Sequence, residues 1–174
     1  MKKKIIFLIN FFILIIVALI FYKALELEPK YSTQNLIGKK LADFSTVILN
    51  DSSSKLSNTD INSSKYSVIN IWASWCGPCR LEHPIILQLS EHKELNIFGI
   101  NYKDEEKNAN YFLKKFGNPY KKIGIDSTGS LSINLGFIGV PETMLIDENE
   151  KILLKYVGPL NKNDYNEIIS KINE

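Results

Sequence analysis

The sequence predicts an α/β domain, a mixed β-sheet flanked by helices, behind one N-terminal apolar helix. Three observations predict it. The chain opens with an apolar run long enough to be a helix of its own. Further on, short apolar runs alternate with helical patterns and close on a hairpin. Between them lie the chain's only two cysteines, in Trp75-Cys76-Gly77-Pro78-Cys79, where a strand hands over to a helix.

The opening run is Ile5 to Tyr22, eighteen residues with Asn10 the only clearly polar member, preceded by Lys2, Lys3 and Lys4. As a helix it spans roughly 27 Å, close to the ~30 Å hydrocarbon core of a bilayer. It exceeds the usual h-region of a cleavable signal, and Ala18-x-Ile20 and Ala24-x-Glu26 lack the small-x-small pattern of a cleavage site. Residues 1–24 therefore read as an uncleaved signal anchor. The lysines hold its start in the cytoplasm and place the rest of the chain outside. Residues 25–37, polar and Pro-containing, read as a tether, and 38–174 as the domain. Removing Lys2, Lys3, Lys4 and Lys23 from the 21 basic residues leaves 17 against 19 acidic, a net −2. That balance offers no electrostatic footprint for nucleic acid.

Within the domain, Leu41 to Leu49 predicts a strand. Asn50 to Lys65, rich in Ser and Asn without a period, predicts a loop with at most one helical turn. Val68-Ile69-Asn70-Ile71-Trp72-Ala73 is a strand, and Pro78 to about Leu89 a helix that continues, bent, past Pro84 because Ile85, Ile86, Leu87 and Leu89 prolong its apolar pattern. Ile97 to Tyr102 is a buried strand. Asp104 caps the next helix, whose Ala109, Phe112, Leu113 and Phe116 share one face before Gly117 ends it. Ile123 to Ile125 is another strand and Ser130 to Leu135 a short helix. Glu142–Ile146 and Lys151–Val157 form an antiparallel hairpin. Tyr165, Ile168, Ile169 and Ile172 close the chain as an amphipathic helix.

Cys76 and Cys79 carry the chemistry. At a helix N-terminus, unpaired N–H groups and a partial positive charge favour a thiolate. An exported chain with one closely spaced Cys pair uses it as a redox tool rather than a staple. Half a zinc site is the competing reading, with only His83 and His92 available to help; no second Cys pair exists. Cys76, at the helix entrance with its sulfur in reach of solvent, is the expected attacking thiol. Cys79, one turn inside, is the resolving one. Pro78 suits the first helical turn, where its missing N–H costs nothing.

From about Ile37 to Ile172 the chain resembles the thioredoxin-fold, membrane-anchored CcmG/DsbE family. The carrying segments are Val68 to His83, Asn101-Tyr102-Lys103-Asp104, Phe116-Gly117-Asn118-Pro119-Tyr120 and Gly139-Val140-Pro141-Glu142-Thr143-Met144-Leu145-Ile146-Asp147. The resemblance implies a thioredoxin-like fold with an inserted βα unit from about Lys103 to Ile125, and a reductase of client disulfides in cytochrome c maturation. Gly77-Pro78 departs from many members of the family, which carry other residues between the cysteines. The implied client is the Cys-x-x-Cys-His motif of apocytochrome c or a maturation partner. Electrons would come from a membrane thiol conduit of the CcdA or DsbD kind, with no cofactor. The location implied is the cytoplasmic membrane, single-pass, with the domain in the periplasm.

Asn70 stands where thioredoxins carry a buried Asp, and Asn cannot titrate. Glu82, three residues after Cys79 on the same helix face, is the expected substitute as proton acceptor; otherwise it is a solvated first-turn carboxylate. The resemblance makes Val140-Pro141 a cis peptide opposite the dithiol, exposing the Val140 backbone to pair with an extended client. Glu142 either tunes the thiols or client choice, or is an edge-strand surface charge. Trp75 is expected at a client-facing apolar rim, Trp72 and Tyr102 in the core, and His83 on the surface. Two other functions stay open: a TlpA-like reductase for the copper site of a respiratory oxidase, and copper delivery through Cys76, Cys79 and His83.

Overall fold

The computed structural model describes residues 2–26 and 33–174. They fall into two units, divided between Ser32 and Thr33. The first is a single helix, α1 (Lys2–Glu26), in which every side chain from Lys4 to Lys23 is exposed. At about 1.5 Å per residue, these twenty residues match a bilayer core, and α1 is a candidate membrane anchor. Of the expected tether, Leu25 and Glu26 finish α1, Thr33–Leu36 form a 3-10 turn, and 27–32 lie outside the described residues.

The second unit contains β1 (Ser45–Ile48), β2 (Asp51–Ser57), α2 (Asn58–Ile61), β3 (Tyr66–Trp72), α3 (Gly77–Ser90), β4 (Leu95–Tyr102), α4 (Glu106–Phe116) and β5 (Lys122–Asp126). It continues with α5 (Ser130–Asn134), β6 (Glu142–Asp147), β7 (Ile152–Val157) and α6 (Lys162–Ile172). The seven strands form one sheet in the order β2-β1-β5-β4-β3-β6-β7. β3, β4 and β5 are parallel; β6, β7, β1 and β2 run antiparallel to their neighbours. The α4–β5 pair is the inserted unit, and β5 separates β4 from β1.

The alternation along β3 sorts the core into two layers, because successive side chains leave a strand on opposite faces. Val68 and Trp72 pack with Ile86 and Leu89 of α3, Phe112 of α4, and Ile168 and Ile172 of α6. Ile69 and Ile71 pack on the other side with Leu56, Ile61, Leu135 and Phe137. Asn70 shares the face of Val68 and Trp72, so a polar side chain enters the layer beneath α3. This placement builds the site.

Two expectations fail. Residues 51–57 form β2 rather than a loop. Its Ser-rich sequence has little strand propensity, but it pairs with β1 and buries Leu56 completely, and tertiary pairing outweighs propensity at a sheet edge. Asp104 does not cap α4. The N-cap is Glu105, without a side-chain bond, and Asp104 instead accepts from Ser74 N at 2.6 Å, Ser74 Oγ at 2.8 Å and Asn101 Nδ2 at 3.0 Å. It ties the β3–α3 connection to the end of β4. α3 does run through Pro84 to Ser90.

Candidate active site

Cys76 ends the β3–α3 connection as the N-cap of α3, with Gly77 and Pro78 in the first turn. Its sulfur accepts the Cys79 N–H at 3.1 Å, so one orphan donor of the helix start is satisfied by sulfur. A thiolate in that place gains both this bond and the helix dipole. Cys76 and Cys79 are joined as a disulfide, the oxidised state of the pair. Both residues are buried, Cys76 3% and Cys79 2% exposed, so the expected solvent exposure of the first sulfur is not what separates them. Capping position separates them.

The surroundings are apolar on the outside and polar beneath. Trp75 is 58% exposed beside Cys76, and its indole Nε1 donates to the Lys103 carbonyl at 3.0 Å, which holds the ring as a rim. Trp72 is core; Tyr102 is half-buried and lies 6.5 Å from the Trp75 ring. Val140-Pro141 is a cis peptide. Val140 is half-buried, Pro141 buried.

Beneath the disulfide, Glu82 is 1% exposed and is no solvated first-turn carboxylate. Asn70 Nδ2 donates to its Oε1 at 2.8 Å and Leu160 N to its Oε2 at 2.8 Å. No cation pairs with it among the described residues. Burial pushes its pKa up from the ordinary 4.5 to about 7, against the two hydrogen bonds that favour the carboxylate. A carboxyl with that affinity can take or give a proton near neutral pH.

Glu142 is also fully buried, and it is neither an edge charge nor positioned for direct client contact. β6 lies between β3 and β7, and Glu142 pairs with the buried Lys155 while accepting from Ile138 N at 2.7 Å and Gly139 N at 2.8 Å. It anchors the loop that leads into Pro141. The pairing was not legible in advance, because Lys155 sits across the hairpin with no spacing rule to flag it. His83 is buried rather than on the surface. Its Nε2 lies 3.0 Å from the Gly117 carbonyl, its ring meets Phe112 edge-on, and burial lowers its pKa. Among the described residues, no three His, Cys, Asp or Glu side chains form a cluster suited to a metal ion.

The Redoxin family profile matches residues 36–169. The thiol:disulfide interchange protein DsbE of Pseudomonas fluorescens biotype C is 38% identical over 85% of this chain and 82% of its own length. The DsbE of Escherichia coli K12 is 34% identical over 99% of this chain and 95% of its own. The chain is a DsbE-type member of the Redoxin family. A crystal structure of a Chlorobium tepidum protein assigned as DsbE, 27% identical, covers 79% of this chain and 95% of its own, with a TM-score of 0.66. The fold is thioredoxin-like and the activity is thiol–disulfide exchange.

Proposed function

We propose that this chain is a membrane-anchored reductase that keeps the client thiols of cytochrome c maturation reduced. The observation that carries the reading is Glu82, buried three residues after Cys79 with no cation beside it among the described residues. A carboxylate there disfavours the reduced pair and so makes it an electron donor. Cys76 as the N-cap of α3, its sulfur accepting the Cys79 N–H, identifies the sulfur that attacks. In the reduced protein, the Cys76 thiolate attacks one sulfur of the client disulfide. The client S–S bond breaks, its second sulfur leaves as a thiolate, and a mixed disulfide forms. Cys79 then loses its proton to Glu82, attacks Cys76, and expels the remaining client sulfur as a thiolate. Two electrons have passed to the client, which takes up protons from solvent, and the protein holds the disulfide seen here. Two electrons from a membrane thiol donor of the CcdA or DsbD kind restore the dithiol.

The apolar rim at Trp75 and the backbone at Val140 are the surfaces on which an extended client would lie. Gly77 and Pro78 stay exposed at the helix entrance, where a client sulfur would approach. α1 would span the cytoplasmic membrane once, with 25–37 as tether and the catalytic domain in the periplasm. The client, on this reading, is the Cys-x-x-Cys-His segment of apocytochrome c or a maturation protein that reduces it; an oxidised pair cannot form thioether bonds to haem. His83 is committed to the Gly117 carbonyl, which disfavours metal delivery through Cys76, Cys79 and His83.

Trapping tests the proposal. Full-length Cys79→Ser expressed in its native host should retain apocytochrome c or its maturation proteins in disulfide linkage to Cys76. Recovery of a copper-site oxidase subunit in their place would make it a TlpA-like reductase.

A further inference from the structure

The hydrogen bonds around Glu82 do not end at Asn70. Tyr120, just before β5 in the inserted unit, is 7% exposed and its hydroxyl donates to Asn70 Oδ1 at 2.8 Å. A tyrosine from the approach to β5 reaches β3, across β4, only if nothing stands between. Gly99 of β4 is that gap. It is the register partner of Asn70, and a Cβ there would meet Trp72 Nε1 at 2.8 Å and Tyr120 Cδ1 at 3.0 Å. The Tyr120 ring stacks on Trp72 with 5.5 Å between centroids and 14° between planes. The loop before it is fixed at both ends, by Tyr120 N on Asn118 Oδ1 at 3.0 Å and by His83 on the Gly117 carbonyl.

Chemistry then decides which way the Asn70 amide points. A carboxylate only accepts, so Glu82 in its ionised form needs the NH2 group. Thr143 Oγ1 at 3.0 Å and the Glu142 carbonyl at 3.5 Å lie on the same NH2 side. A reversed amide would aim its oxygen at the Glu82 carboxylate and at the Glu142 carbonyl. Tyr120 holds the oxygen end where it is. We propose that Tyr120 is a positioning residue for the exchange reaction: its hydroxyl fixes the Asn70 amide with the NH2 group toward Glu82, so the inserted unit presents Glu82 as a hydrogen-bonded carboxylate on the Cys79 face of α3.

The other charged or titratable groups that act on Glu82 are Tyr120 itself and Asp164 of α6, with Cys79 one turn before it on α3 and the Glu142–Lys155 pair on the opposite face of the sheet. Apart from Tyr120, none of these is altered by loss of its phenolic oxygen. Tyr120→Phe leaves the amide oxygen buried without a donor, so the amide loses the bond that holds its NH2 group tight against Glu82. Glu82 then loses part of the support for its carboxylate form, and its proton affinity rises.

The test is a 13C NMR titration of the Glu82 side-chain carboxyl in detergent-solubilised full-length oxidised protein. Tyr120→Phe should titrate about one pH unit above wild type, the scale of one hydrogen bond to a charged acceptor. Asn70→Ala should shift Glu82 at least as far, and adding Tyr120→Phe to it should shift Glu82 no further, because the two act in series. A Glu82 titration unmoved by Tyr120→Phe overturns the proposal, as does a full additional shift in the double variant. The kinetic consequence rests on Glu82 as proton acceptor: the pH profile of mixed-disulfide resolution should move up by the same amount, about a fivefold loss near neutral pH. If Glu82 titrates as stated but resolution ignores both variants, the Tyr120–Asn70–Glu82 relay stands as a structural fact, and the proton-acceptor reading of Glu82 falls together with the role of Tyr120 in exchange.

Discussion

Glu82 and Glu142 both lie beside Asn70, both fully buried, and the fold treats them in opposite ways. Glu142 has Lys155 as a counter-ion and two backbone N–H groups from the loop before Pro141. Glu82 has an amide and one backbone N–H but, among the described residues, no cation. The same side chain at the same depth is thereby an anchor in one place and, in the proposed mechanism, a proton carrier in the other. Partner identity, not burial, divides the roles.

The largest effect should come from breaking the anchored side. Lys155→Met leaves the buried Glu142 without its counter-ion, held only by the Ile138 and Gly139 N–H groups, and should cost about 3–5 kcal/mol in urea unfolding of the oxidised protein. A loss below about 1 kcal/mol would mean the pair contributes little to the loop. On the other side the sign reverses. The folded pKa of Glu82, about 7, lies above its unfolded 4.5, so the folded state binds the extra proton between these values. Stability from this group is therefore full below about pH 4.5 and falls as pH rises through about 7. Glu82→Gln should stabilise the protein by up to roughly 3 kcal/mol near pH 8 relative to its effect near pH 5. A variant equally displaced from wild type at both values would show that Glu82 does not titrate in the fold.

A carboxylate close to the dithiol disfavours thiolate and hence the reduced state. The reduction potential should lie nearer the thioredoxin value of about −270 mV than the DsbA value of about −120 mV in a glutathione titration. A value above roughly −150 mV would make the pair an oxidant. The smallest effect should be at the rim. Trp75→Ala, at an exposed position, should change unfolding stability by no more than about 0.5 kcal/mol while weakening binding of a client peptide. An unfolding change of several kcal/mol would place the indole in the core.

What was legible follows the range of the interaction. The i, i+3 spacing put Glu82 on the Cys79 side of α3, and helix-start chemistry put Cys76 at the helix entrance, because both are local; that Cys76 is itself the N-cap came from the fold. α4 and the β6–β7 hairpin were legible from period alone. β2 was not, since its strand character comes from pairing with β1 across a Ser-rich edge. Asp104 read as a cap because it precedes a helix, and only the fold shows it turned back to Ser74 and Asn101. The Glu142–Lys155 pair, the burial of His83 and the reach of Tyr120 across Gly99 all depend on which strands become neighbours. No local pattern encodes that.

The most direct measurement follows the two exchange steps separately. Reduced wild-type and Glu82→Gln proteins are mixed in stopped flow with a model disulfide peptide near neutral pH, and the mixed disulfide is acid-quenched and counted. Gln retains size but cannot ionise, and its single oxygen can accept from only one of Asn70 and Leu160. The first attack by Cys76 should proceed at an unchanged rate, the mixed disulfide should accumulate in Glu82→Gln, and the pH dependence of resolution near 7 should disappear. Equal intermediate levels in the two proteins, with the same pH profile, would contradict the division of roles between the two glutamates.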